Sequence, residues 1–490
     1  LSLPVELVWP GKSVPPRLEE APALLPTDAF DGPPGSLLTD FRNQLLWGDN
    51  LLLMEALLPR FEGRIDLAYL DPPFNAGHDW AMTLPLGEGT GMGVDRAATV
   101  QAVAYPDTWD DGAYLQMLYA RLLQVRELLS PTGSLIVHVS WQVAHLVRAL
   151  LDEVFGPGER RGAGRPGFRN EIIWGYGGGG AARNAYRRKH DNLFWYTRSD
   201  RWTFNPQYRP YTEGTRGRGL TRVKGPRYRL REEGATLETW WTDAGVQKIL
   251  SPTASENLKY PTQKPEALLE RIIRGHSHPG DLVADFFCGS GTTGAVAERL
   301  GRRWLMADQG RLAVQLARKR LAQVQAERAA AGEAFRGFDC YALGECGEAS
   351  RQSAQSIAPG DGPACVTPQS ALRTPRSALY AELLTHADET LDVRLLDFRP
   401  ALPAAAGTLP KALRERARNA GFDFIDYWAA DWEYAAPVFR HRWQSCRSPR
   451  DRRIRLESDA RYPREAGSLY PVAVKVVDVW GYDYCFLLPA

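Results

Sequence analysis

The chain has 490 residues with 44% hydrophobic and 24% charged positions, ordinary fractions for a globular protein of two to four domains. Mean hydropathy is −0.35, and no apolar stretch approaches the ~20 residues that span a bilayer, so no membrane partner is expected. Net charge is only +2, and six cysteines without a CxxC pair exclude a disulfide scaffold and give no metal site.

In chain order, residues 1–42 are proline-rich and are expected to wrap a surface as an irregular N-terminal arm. The beginning lacks a basic, apolar leader, so a cytoplasmic protein is expected. A short strand over 44–47 leads through Gly48-Asp49-Asn50 into a helix over 51–58. Residues 65–70 form a continuous apolar run of the buried-strand type, ending in Asp71-Pro72-Pro73-Phe74. Residues 76–110 read as a glycine-rich excursion, followed by a helix over 114–129, a strand over 134–139 and a helix to about 155. Strands over 171–174 and 192–197 flank a glycine run at 177–180. A helix over 266–274, a strand over 282–287, a glycine-rich turn, a helix, a strand over 303–308 and a helix over 312–331 follow. Strands alternating with helices at these spacings predict an α/β fold with a doubly wound, Rossmann-like sheet. The resulting organisation is an α/β domain over 43–344, a linker over 345–376 and a β-rich accessory domain over 377–490 closed by a hairpin near Gly481.

Charge is unevenly spread. The window 183–231 holds fourteen Lys/Arg against Asp191, Asp200 and Glu213, a local +11 that leaves −9 for the remainder. That is the footprint of a nucleic-acid surface. Arg183, Arg187, Arg188, Arg216, Arg218, Arg222 and Lys224 are its candidate DNA contacts, interleaved with Tyr186, Trp202, Phe204, Tyr208, Tyr211 and Tyr228. Most of those aromatics are expected to form a small local core. The segment to about 258 is the candidate target-recognition region.

Two motifs carry the chemistry. Gly289-Ser290-Gly291-Thr292-Thr293-Gly294 follows a strand and opens a helix, and Asp308 ends the next strand. Such glycines admit a ligand to the backbone, and such an acid takes ribose hydroxyls, in a nicotinamide or an S-adenosylmethionine site alike. Asp71-Pro72-Pro73-Phe74 discriminates between them. A carboxylate, a rigid carbonyl and a ring within four residues make a receptor for the exocyclic amine of a planar base. Asp71 and the Pro72 carbonyl accept its two N–H bonds, Pro73 stiffens the turn, and Phe74 stacks on the base. Asp423, Asp426, Asp431 and Glu433 alternate with apolar residues and read as a half-exposed strand rather than a metal site.

The order of these motifs resembles the amino-group (N6-adenine/N4-cytosine) DNA methyltransferases in their permuted, beta-group arrangement, similar to type III modification subunits and their solitary relatives. The resemblance rests on Trp47-Gly48-Asp49-Asn50, Asp71-Pro72-Pro73-Phe74-Asn75, Leu129-Ser130-Pro131-Thr132-Gly133-Ser134, Asn170-Glu171-Ile172-Ile173-Trp174, His190-Asp191, the segment 260–265 and the segment 285–293. Phe286 stands where that family usually has Pro, and Asp308 where it more often has Glu. The resemblance implies S-adenosylmethionine as cofactor. It places Asp285, Gly289 and Gly291 at the methionine part with Thr292 and Thr293 nearby, Asp49 at the adenine amine, Thr262 with Lys264 at the methionine end, and Asn50 and Phe287 among the cofactor-binding residues. His190-Asp191 would support the catalytic loop rather than act as a base. It further implies a site-specific adenine-N6 methyltransferase acting on double-stranded DNA, as a homodimer or a subunit of a restriction or defence system. N4-cytosine methylation, an NAD-dependent oxidoreductase and an inactive DNA-binding subunit are the alternatives. The acid at position 71 favours adenine.

Overall fold

The computed structural model describes residues 6–18, 20–33, 35, 37–87, 99–158, 165–177, 183–219, 230–243, 245–246, 254–344, 378–402, 410–449, 451–463 and 470–488. The expected linker at 345–376 and the DNA contacts Arg222 and Lys224 lie outside the described residues, as does the side chain of Arg218.

Eleven strands form one sheet. In chain order they are β1 (Leu24–Phe30), β2 (Leu37–Trp47), β3 (Ile65–Leu70), β4 (Leu129–Ser140), β5 (Gly167–Gly175), β6 (His190–Thr197), β7 (Trp240–Trp241), β8 (Leu282–Asp285), β9 (Arg303–Asp308), β10 (Phe335–Leu343) and β11 (Phe439–Arg440). Their spatial order is β7-β5-β6-β4-β3-β8-β9-β2-β10-β1-β11. The centre, β4-β3-β8-β9-β2, is parallel throughout. Strand β6 enters antiparallel between β4 and β5, so the sheet is mixed but largely parallel.

Helices α1 (Asn50–Phe61), α2 (Asp111–Leu128) and α3 (Ala144–Phe155) cover one face, and α5 (Glu266–His276), α6 (Thr292–Arg299) and α7 (Arg311–Ala330) the other; α4 (Glu213–Gly219) lies in the basic window. The two-residue period of a strand explains the unbroken apolar run of β3. Ala68 and Leu70 enter the α1–α3 core, while Leu67 and Tyr69 enter the α5–α7 core.

The described part of the N-terminal arm departs from expectation. Residues 9–13 do wrap α2, with Trp9 edge-on to Tyr119 at 5.7 Å and Ser13 bonded to Gln116. Residues 24–30 and 37–47, however, are sheet strands. Pro26 is tolerated because the β1–β10 register shifts between Pro26 and Asp28. The excursion after Phe74 holds an antiparallel hairpin, Trp80–Pro85 with Thr99–Tyr105.

The C-terminal residues form a three-stranded and a four-stranded sheet, the latter ending in the hairpin Val472–Asp478 with Asp483–Leu488. This unit is not a separate appendage. It lends β11 to the central sheet and shares a core with the Trp80–Tyr105 hairpin and with Leu312 and Ala313 of α7. The strand Ile425–Asp431, expected to be half exposed, is buried along nearly its whole length. Its acids serve packing. Asp426 pairs with Lys319 of α7 at 2.8 Å, and Asp431 accepts the Arg440 amide at 2.9 Å.

A buried charge cluster joins the units. Asp28 of β1 receives Lys475, His441 at 2.8 Å and Arg318 of α7 at 3.4 Å, and Arg318 also meets Asp483 at 3.1 Å. Burial raises the cost of the Asp28 charge, but Lys475, His441 and Arg318 hold its carboxyl well below the usual range. Removing this one anion leaves buried Lys475 without its main partner and Arg318 with Asp483 alone. Asp28→Ala is therefore expected to destabilise the protein by about 3–5 kcal/mol in urea unfolding; a loss under about 1 kcal/mol would show the cluster to be incidental.

Candidate active site

Because β3, β8, β9 and β2 run parallel, their carboxyl ends lie along one edge. Asp71, Asp285, Asp308 and Asp49 stand at or just beyond those ends. Open α/β sheets bind ligands at that edge, in the crevice where strand order reverses.

Asp71 follows β3 directly. Its Oδ2 receives Lys264 Nζ at 2.5 Å, while its Oδ1 is buried and accepts no hydrogen bond. A buried carboxylate oxygen without a donor is costly unless a ligand supplies one. Lys264 Nζ also lies 5.0 Å from the Phe74 ring centre. Behind Phe74 sits the wholly buried His138 ring at 5.8 Å, held by Tyr69 Oη at 2.8 Å and by Asp191 at 3.2 Å. Tyr176 Oη donates to the other Asp191 oxygen at 3.2 Å. Asp191 thus braces the Phe74 wall from β6.

The backbone of the same loop is shaped by a residue that sequence reasoning missed. Asp107 is buried and accepts from the Asn75 amide at 2.7 Å and from Trp80 Nε1 at 3.1 Å, with the neighbouring amides of Ala76 and Phe74 also directed at it. Burial raises its pKa against those bonds. Asn75 adopts φ 55°, a left-handed conformation that Asn tolerates. The available signal was an acid between two aromatic residues, Tyr105-Pro106-Asp107-Thr108-Trp109, in a segment read as irregular.

The glycine turn behaves as its pattern implies. Gly289 and Gly291 have φ of 50° and 76°. A Cβ on Gly291 would lie 2.9 Å from the Ala317 Cβ, and one on Gly289 3.1 Å from the Tyr260 ring. Asp308 accepts the Gly289 amide at 2.9 Å and the Gly310 amide at 2.7 Å. Asp285 accepts the Phe287 amide at 3.0 Å and the Thr293 hydroxyl at 2.5 Å. Burial pushes the Asp285 carboxyl up to about 7 against those two bonds, with the charges of Asp71 and Asp308 adding to the rise. Desolvation takes Asp308 up to about 6. Burial is the main cause at both carboxyls.

The other expected ligands contact neighbouring residues of the protein. Asp49 caps α1 through the Leu51 amide at 2.8 Å and pairs with Arg121, keeping part of its side chain exposed. Asn50 is buried, joining the Phe286 carbonyl at 2.6 Å to Arg121, so it fastens α1 to the β8 turn rather than facing the cleft. Thr292 accepts Arg320 at 2.8 Å, and Thr293 is engaged by Asp285, so both hydroxyls serve the turn itself. Phe287 is half buried against the α1–α3 core. Thr262 has φ 58° and meets Tyr105 Oη at 2.8 Å, tying the 260–265 segment to the hairpin. Lys264 points to Asp71.

In the basic window Arg183, Arg187, Arg188 and Arg216 are exposed, and Arg188 lies over Trp141 at 4.1 Å, just beyond β4. Tyr186 is 97% exposed. Trp202 stacks under Arg169 and Phe204 on Trp195, the local packing expected for aromatics of this segment. Among the described residues, no group of three His, Cys, Asp or Glu could hold a metal ion, and no helix is long and apolar enough to cross a membrane.

The raised Asp285 pKa has a measurable consequence. Near pH 5 the native carboxyl keeps its proton, whereas the unfolded one, near 3.8, has lost it. Its contribution to stability therefore falls as the pH rises from about 4 to 7 and is level above that. Asp285→Asn, which mimics the protonated acid, is expected to gain about 2 kcal/mol on the wild type between pH 5 and 7. A constant difference across that interval would place the shifted group elsewhere.

Comparison with known proteins fits this geometry. Residues 65–319, just over half the chain, match the N6_N4_Mtase family of DNA methylases. The chain is 27% identical to the type II methyltransferase M.EcaI of Enterobacter cloacae, over 57% of this chain and 69% of that one. It is 26% identical to the type II methyltransferase M.HpaI of Haemophilus parainfluenzae, over 55% and 71% respectively. Similar solved structures include the M1.HpyAVI–SAM complex (20% identity, 57% of this chain and 98% of that one, TM-score 0.36). The cytosine-N4-specific PvuII DNA methyltransferase is another (18%, 64% and 98%, TM-score 0.37). On the match across 65–319, the chain belongs to the N6/N4 DNA methylase family.

Proposed function

We propose that the protein transfers a methyl group from S-adenosylmethionine to the N6 amine of an adenine flipped out of duplex DNA. The observation that carries this reading is Asp71 Oδ1, a buried acceptor without a donor at the end of a parallel strand. An exocyclic amine supplies the missing N–H. Lys264 holds the other carboxylate oxygen, so Asp71 presents Oδ1 in one orientation. The Pro72 carbonyl, on a backbone stiffened by Pro73, takes the second amine hydrogen. Phe74, backed by His138, supplies the stacking face. Together they hold the amine lone pair out of conjugation and aimed along one line, and positioning of this kind is the main catalytic contribution. The proton shed by the amine leaves along its hydrogen bond to Asp71 Oδ1.

The cleft residues suit the cofactor. S-adenosylmethionine, when bound, supplies a methyl group activated on a sulfonium and carries an ammonium group beside it. Asp285 and Asp308, whose carboxyls burial pushes up, gain from a cationic ligand. Asp308 at the end of β9 would take the ribose hydroxyls, and Gly289 and Gly291 would let the ligand approach the turn. The basic window would carry the DNA, with Arg183, Arg187, Arg188 and Arg216 toward phosphates. Because two curated relatives are type II methyltransferases, we place the chain in a restriction-modification setting. Cytosine N4 presents the same amine chemistry, and the acid at position 71 favours adenine over it.

Asp71→Ala tests the assignment. Transfer of labelled methyl to DNA is expected to fall by at least ~100-fold, the scale of a lost transition-state hydrogen bond. The dissociation constant for S-adenosylmethionine should change little. Near-wild-type transfer by this variant would remove Asp71 from the reaction.

A further inference from the structure

The matched family region ends at residue 319, and the C-terminal unit beyond it reaches a residue beside the Asp308 turn. Arg311, at the first turn of α7 and three residues past Asp308, is held between two rings. Its guanidinium lies 4.4 Å from the centre of Trp47 and 4.5 Å from that of Tyr482, which belongs to the C-terminal hairpin. Trp47 is paired in register with Asp308, and its Nε1 donates to the Gln309 carbonyl at 3.2 Å. The stack therefore bears on the Asp308–Gly310 turn, whose acid would take the ribose.

The turn that presents Tyr482 is built firmly. Asp478 Oδ1 accepts the Trp480 and Tyr482 amides at 2.9 Å, and its Oδ2 accepts Tyr484 Oη at 2.9 Å. Trp480 stacks on Phe424 at 5.5 Å. Gly481, at φ 82°, brings its backbone so close that a Cβ would lie 3.1 Å from Arg311 Cγ. The opposite rim leans on the same unit. The hairpin carrying Trp80 and Tyr105 is bonded at its far end through Pro85 to Arg452 at 2.6 Å and through Gly87 to Asp423 at 3.0 Å. Tyr260, whose ring faces Gly289, packs in that shared core.

We propose that the C-terminal unit is a wall of the cofactor cleft and that Tyr482 is a positioning residue for cofactor binding, acting through Arg311 on Trp47 and the Asp308–Gly310 turn. The inference rests on the proposed use of S-adenosylmethionine. Its logic is that of a stack: a cation fixed between two rings is worth more to both neighbours than a free side chain at the same place. Without Tyr482, Arg311 is free to leave Trp47, and the turn bearing the acid loses its outer support.

Equilibrium dialysis of full-length protein with labelled S-adenosylmethionine, in the absence of DNA, tests this alongside melting curves. Tyr482→Ala is expected to raise the dissociation constant about three- to tenfold. Tyr482→Phe, which keeps the ring, should stay within about twofold of wild type. Arg311→Gln should reproduce the Tyr482→Ala effect, and the double variant should bind no more weakly than Arg311→Gln alone, since both act along one path. A merely structural Tyr482 would lower the melting temperature and leave the dissociation constant unchanged. Normal binding by the wild type with Tyr482→Ala or Arg311→Gln unchanged would overturn this inference alone. Wild-type protein that binds no S-adenosylmethionine would overturn the proposed function with it.

Discussion

Four parallel strands ending at one edge create the constraint on which the rest depends. Their register brings Asp71, Asp285 and Asp308 together where water is scarce, with Lys264 as the cation bonded to Asp71. Such a grouping opposes folding, as the raised Asp285 and Asp308 carboxyls record. It persists because two helical layers and a parallel sheet over-determine the backbone there. A site of this kind is poised for a cationic ligand on one side and an amine donor on the other.

The support around this edge is layered. Asp107 gathers the amides of the Phe74–Ala76 loop, and His138 backs the Phe74 ring. Neither faces the cleft as an acid or base. Both fix the position of Phe74 beside Asp71. The same division appears at the glycine turn, where Thr293 spends its hydroxyl on Asp285 and Thr292 receives Arg320. The turn leaves its helix, α6, without a side-chain N-cap.

Much of the site was legible because its determinants are local. A six-residue apolar run capped by Asp71-Pro72-Pro73-Phe74 announces a buried parallel strand with a rigid end, and the glycine spacing announces the strand-to-helix turn. What escaped depends on partners distant in sequence. Residues 24–30 read as irregular because their strand forms against β10 and β11, both more than 300 residues later. The buried strand Ile425–Asp431 read as half exposed because its acids find Lys319, Arg440 and Arg442 only in the folded chain. The pairing of Lys264 with Asp71 crosses nearly two hundred residues and leaves no local trace. Likewise the link of the C-terminal unit to the cleft runs through one arginine between two rings.

The central claim is that this edge delivers a methyl group to an exocyclic amine of a DNA base, and that the base is adenine. The direct measurement is nucleoside analysis of duplex DNA incubated with the purified protein and isotopically labelled S-adenosylmethionine. The account predicts label in N6-methyladenine. Label in N4-methylcytosine would contradict the choice of base while leaving the amine chemistry standing, and label in neither would contradict the account of the site.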